Sequence, residues 1–107
     1  MDLAIIMSVY NEEEAIPVVI KDWTEALEKL GMDFQIHAYN DGSKDRTLTV
    51  LNELAQTNSR LIVHDKPNSG HGPTILKGYK ENSDATWIFQ TDSDNELPAS
   101  HFHVLWK

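Results

Sequence analysis

With no cysteine in the chain, no disulfide can staple it; the absence is compatible with a reducing cytoplasm without placing the protein there. No apolar run is long enough to span a bilayer, and Met1-Asp2-Leu3 opens without the basic segment and cleavage site of a signal peptide. Positive charge is scarce as well. Nine Lys and Arg stand against 17 Asp and Glu, giving a formal net charge of −8; a nucleic-acid surface needs clustered cations, so this balance argues against one. A phosphate-bearing ligand would have to be received by a metal ion or by backbone amides. What is present is ordinary globular material, 40% hydrophobic and 24% charged over 107 residues. That length suits one domain or part of one, and is short for an enzyme that handles two substrates.

Leu3-Ala4-Ile5-Ile6-Met7 is continuously apolar, as a central parallel strand covered on both faces would be. Three glutamates, Glu12 to Glu14, then precede Ile16-Pro17. Proline is tolerated in a helix's first turn, so a helix is expected to start near 15–17. Ile16, Val19, Ile20, Trp23, Leu27 and Leu30 give it one apolar face, Gly31 stops it, and the glutamates suit its positive end. The second strand, Phe34 to Tyr39, alternates apolar and polar residues, which predicts one less covered face. Asn40-Asp41-Gly42-Ser43 follows. Asp41 or Ser43 is expected to cap a helix whose stripe is Leu48, Leu51, Leu54 and Ala55. A third strand, Leu61-Ile62-Val63, leads into the polar loop 65–73, and Pro73 is expected to open a short helix carrying Ile75, Leu76 and Tyr79.

The fourth strand, Ala85 to Phe89, runs into Asp92-Ser93-Asp94, expected to leave the sheet in a turn. Two aspartates one residue apart can share a hard divalent cation, and Mg²⁺ is normally held by one or two carboxylates plus substrate phosphates. Repeated strand-helix alternation implies a parallel sheet with right-handed crossovers and helices on both faces. Ligands then bind beyond the carboxyl ends of the strands, where this chain gathers Ser8 to Asn11, Asn40 to Ser43, Asp65 to Gly72 and the two aspartates.

Ser8-Val9-Tyr10-Asn11-Glu12, Asn40-Asp41-Gly42-Ser43-Lys44-Asp45-Arg46-Thr47, the segment Asn68 to Gly78, and Asp92-Ser93-Asp94 resemble, in order and spacing, the first half of a family 2 glycosyltransferase with the Rossmann-like GT-A fold. The resemblance covers nearly all of residues 1–107. It implies a nucleotide-diphosphate sugar as donor, with Asp41 on its base and Ser8, Tyr10 and Glu12 lining the nucleoside pocket. Asp92 and Asp94 would hold the ribose and a Mg²⁺ or Mn²⁺ on the diphosphate, Asp94 being the direct ligand. Transfer with inversion is implied too. Asn40 departs from the family, where many members carry an acid. Gly70-His71-Gly72 with Lys77-Gly78, and Asp92 to Glu96, resemble the branch that glycosylates polyprenyl phosphates, which implies such an acceptor and a place in the cytoplasm at the face of a membrane.

In the family the acceptor half and the catalytic base lie downstream of the D-x-D, so the base is expected beyond Lys107 and none is assigned here. The chain reads as the donor-binding half alone, inactive by itself and prone to self-association through an open sheet edge. Pro98 is expected to open a helix over Ala99 to Trp106. His101 and His103, two apart on it, point to different faces and are read as surface or packing residues. His71 on the rim, Lys66 and Lys77 are candidates for phosphate contact, and Trp23 is read as core. Two other classes fit less well. A sugar-phosphate nucleotidyltransferase would open with a glycine-rich loop after strand one, and a receiver-like, non-catalytic domain would carry paired acids where this chain has Ser8-Val9-Tyr10.

Overall fold

A computed structural model describes residues 3–68 and 70–92. Asp94, His101, His103 and the expected helix over Ala99 to Trp106 lie outside them. Of His71, Ile75 and Asp92 only the backbone is described. The elements are β1 (Leu3–Val9), α1 (Ile16–Lys29), β2 (Phe34–Asp41), α2 (Thr47–Thr57), β3 (Leu61–Lys66), α3 (His71–Glu81) and β4 (Trp87–Asp92). The described strands form one parallel sheet in the order β3-β2-β1-β4, as the strand-helix alternation predicts.

Period-two alternation sends each strand's side chains to two different layers. On one face Leu3, Ile5, Met7 and Val9 join Phe34, Ile36 and Ala38 and pack against Ile16, Val19, Ile20, Trp23 and Leu27 of α1 and Leu51 of α2. Trp23 is core, its ring 5.4 Å from that of Phe89. Pro17 sits in the first turn of α1, and Gly31, at φ +67, ends the helix in the left-handed region that glycine enters without strain. Leu30 occupies the C-cap and is exposed, so it does not extend the apolar face.

α3 covers the other face, and here several expectations are corrected. β2 is buried on both sides, because Tyr39 joins Ala4 and Ile6 in a second small core and His37 is buried with them. Its polar residues are accommodated by partners on β2 itself, β3 and α3. His64 stacks on Tyr39 at 4.2 Å, and the His37 and His64 rings are joined by a 2.9 Å hydrogen bond. The Tyr39 hydroxyl donates to Glu81 at 2.7 Å. α3 begins at His71, two residues before Pro73, and turns inward not Leu76 and Tyr79, which are exposed, but Thr74 and Gly78, followed by Asn82 just past its end. Close approach to the sheet selects small residues on this face. A Cβ on Gly78 would stand 2.4 Å from Cγ2 of Ile6.

Elsewhere β2 runs on through Asn40 and Asp41, β3 through Lys66, and β4 starts at Trp87 and includes Asp92, which therefore closes the strand instead of lying in a turn. Neither Asp41 nor Ser43 caps α2: Arg46 is its N-cap, without a side-chain bond, and Val50 rather than Leu48 packs with Leu51, Leu54 and Ala55.

Candidate functional site

Because all four strands run in parallel, the segments that leave β1, β2 and β3 emerge at one end of the sheet, beside the last residue of β4. The first two are stapled together. Asn11, at φ +52 in a region Asn tolerates better than most residues, donates its N–H to Oγ of Ser43 at 3.0 Å, while its Oδ1 accepts the Lys44 N–H at 2.7 Å. One residue on, the Glu12 N–H donates to Oγ1 of Thr47 at 2.9 Å. Thr47 in turn donates both its hydroxyl and its N–H to Oδ1 of Asp45. Those bonds, the hydroxyl first, hold the Asp45 carboxyl below its ordinary value.

The segment after β3 folds over the end of β2. Asp41 is 3% exposed, yet it carries a carboxylate. Its Oδ1 meets the Lys66 ammonium at 2.5 Å, its Oδ2 accepts the Gly70 N–H at 2.9 Å, and its main-chain carbonyl accepts from Nδ2 of Asn68 at 2.9 Å. Gly42, at φ +68, lies so close beneath this loop that a Cβ on it would come within 2.7 Å of the Asn68 nitrogen. Beside it Asn40 is 2% exposed and donates to Oδ1 of Asp65 at 3.1 Å. Among the described residues, Oδ1 of Asn40 is a buried side-chain acceptor with no hydrogen-bond partner. Such a group is normally satisfied by a water or a ligand.

Of the residues named from the sequence, Ser8 is half-buried near the end of the central strand, in register with Tyr39 on one side and Asp92 on the other. Tyr10 is 42% exposed just past that strand, with its ring available as a platform. Glu12 is half-buried and bound through its backbone to Thr47. Asp41 is buried in the clamp, and Asp94 falls outside the described residues. Lys77 pairs with Glu81 at 3.0 Å on the exposed side of α3. Lys66 serves Asp41. Reading β3 as ending at Val63 hid that role, for only a strand reaching Lys66 sets the two side by side. Asn68 and Gly70 belonged to the family-like segment but had no role until the loop was seen to close on Asp41. Among the described residues no three His, Asp or Glu side chains gather as a metal centre.

A parallel sheet with helices on both faces and its polar residues collected at the strands' carboxyl ends defines a Rossmann-like domain of the GT-A kind. The chain belongs to glycosyl transferase family 2, whose family model matches residues 4–107. Among solved structures, residues 1–349 of TarS from S. aureus, in complex with UDP-GlcNAc, are similar with a TM-score of 0.71 at 24% identity, covering 88% of this chain and 27% of that one. The same protein without that ligand gives 0.70 at 21%, over 99% and 31% of the two chains. A mannosyltransferase from Pyrobaculum calidifontis, in complex with GDP-Man and Mn²⁺, gives 0.66 at 16%, over 92% and 29%. At such identities the likeness speaks to the fold. The chain spans 27% to 31% of the length of these structures.

Proposed function

We propose that this chain binds the donor of a glycosyl transfer, a nucleoside-diphosphate sugar, at the carboxyl ends of β1, β2 and β4. The observation that carries the reading is the buried Asp41 carboxylate, held ready at the rim beside an exposed aromatic, Tyr10, and an unmet acceptor on Asn40. Asp41 receives an N–H of the base, Ser8, Tyr10 and Glu12 line the nucleoside pocket, and Asp92 supports the ribose. The solved relatives bound to UDP-GlcNAc and to GDP-Man support this class of ligand.

A divalent cation suits this end of the molecule by donor chemistry. Asp92 and Asp94 offer hard carboxylate oxygens, and the register neighbour of Asp92 on β1 is Ser8, an uncharged oxygen donor. Asp92 and Asp94 would hold Mg²⁺ or Mn²⁺, which as a Lewis acid stabilises the charge that grows on the departing diphosphate. The acceptor would attack the anomeric carbon with inversion, and the nucleoside diphosphate would depart. The acceptor we propose is a polyprenyl phosphate, which would bring the protein to the cytoplasmic face of a membrane. No described helix is itself long and apolar enough to cross one.

Calorimetric titration of UDP and GDP with Mn²⁺ or with EDTA tests the reading. Asp94→Asn keeps shape but removes charge, so it should abolish most of the Mn²⁺-dependent gain in affinity while the metal-free affinity stays level or rises slightly. Asp92→Asn should do the same more weakly. Retention of the full gain in Asp94→Asn would leave the carboxylates without a ligating role and remove the metal from the mechanism.

A further inference from the structure

Lys66 ends β3, Asp41 ends β2, and the two are register partners. The side chains are 11% and 4% exposed, and the ammonium donates both to Oδ1 of Asp41 and, at 2.7 Å, to the carbonyl of Pro67. The second carboxylate oxygen is held by the Gly70 amide. A carboxylate this dry stays ionised only if compensated, and a neighbouring ammonium is the strongest compensation available. The Lys66 ammonium on one oxygen and the Gly70 amide on the other help fix the plane of the group.

Charge state matters to what the ligand is. An ionised carboxylate attracts a base whose ring nitrogen carries a hydrogen, as in uracil or guanine. It repels one whose corresponding ring nitrogen is a bare acceptor, as in cytosine or adenine. A protonated carboxyl can donate as well as accept, and so loses the distinction. We propose that Lys66 is a positioning residue for base selection: it keeps Asp41 ionised and oriented so that the site takes bases with a ring N–H, and it does not serve the diphosphate. This rests on the reading of Asp41 as the base contact.

The test is titration of UDP, GDP, CDP and inorganic pyrophosphate, all with Mn²⁺, against the protein and its variants. The unaltered protein should prefer UDP or GDP over CDP. Lys66→Met should shrink that preference at least about tenfold, a shift of roughly 1.4 kcal/mol, and leave pyrophosphate affinity within about twofold, whereas Lys66→Arg should restore the preference. Removing Lys66 alone strands a buried charge and can unfold the chain, so circular dichroism accompanies each variant. The double variant Asp41→Asn with Lys66→Met strands none, and it should bind UDP as Asp41→Asn does. Loss of pyrophosphate affinity in step with UDP, an unchanged base preference in a folded Lys66→Met, or further loss of UDP affinity in the double variant would each overturn the proposal. If instead Asp41→Asn alone leaves base preference untouched, it is the reading of Asp41 that fails.

Discussion

His37 is a titratable side chain spent on packing. Burial first, and the neighbouring His64 second, lower its pKa from 6.5 to about 4. His64 is lowered as well, chiefly by burial. The two ring bonds of His37 are satisfied together if its Nε2–H donates to Oε1 of Gln35 and its Nδ1 accepts from Nε2–H of His64, an arrangement with both rings neutral. Between the two values the unfolded chain binds a proton that the folded chain refuses, so His37 stabilises the fold fully above pH 6.5 and ever less as the pH falls toward 4. The expected loss between pH 7 and pH 5 is about 2 kcal/mol. Glu81, lowered first by the Tyr39 hydroxyl and then by Lys77, loses its contribution only at lower pH, below the ordinary carboxylate value of 4.5. Urea midpoints across this range should slope steeply for the native chain and clearly less in His37→Gln, where His64 still contributes; equal slopes would show that the His37 imidazole is not the source.

Helices α1 and α3 show what an amphipathic pattern reveals and what it hides. On α1 the large residues at three- and four-residue steps are the buried ones, and its limits were legible from Pro17 and Gly31. On α3 large and small residues compete for the inner face, and distance decides. A helix drawn down onto Ile6 and Tyr39 leaves room for Gly78 but not for Leu76, which hydrophobicity alone cannot signal. The site followed the same division. Ser8 could be placed by counting along the apolar run of β1, and Asp41 and Asp92 only to within a few residues of their strands' ends; the grip of Lys66 and Gly70 on Asp41 depends on a loop's path, which no periodicity encodes. Gly78→Ala tests the close approach. Ala gains up to about 1 kcal/mol in helix propensity, but its methyl collides with a fully buried branch of Ile6, and overpacking costs about 1–3 kcal/mol. Crowding should win, lowering the urea midpoint, and the loss should shrink when Ile6→Ala opens space beneath. A stabilised Gly78→Ala would mean that α3 stands further from the sheet.

At the scale of the whole molecule, the described sheet ends in β3 on one side and β4 on the other, and the ladder of β4 carries Trp87 at 58% exposure. Strands at an edge offer unpaired amides and carbonyls to any neighbour. The chain should therefore self-associate, more strongly as salt screens its formal charge of −8. Sedimentation velocity over a range of concentration and ionic strength checks this, and a monodisperse monomer throughout would refute it. The reciprocal bonds between Asn11, Ser43 and Lys44 carry a consequence for redesign. Asn11 belongs to the connection after β1 and Ser43 and Lys44 to the one after β2, 32 to 33 residues away in sequence, so lengthening or exchanging either connection takes away the other's hydrogen-bond partner. Anyone transplanting ligand preference from a relative would have to move both connections as one cassette, and natural variation in their lengths should be coupled in the same way.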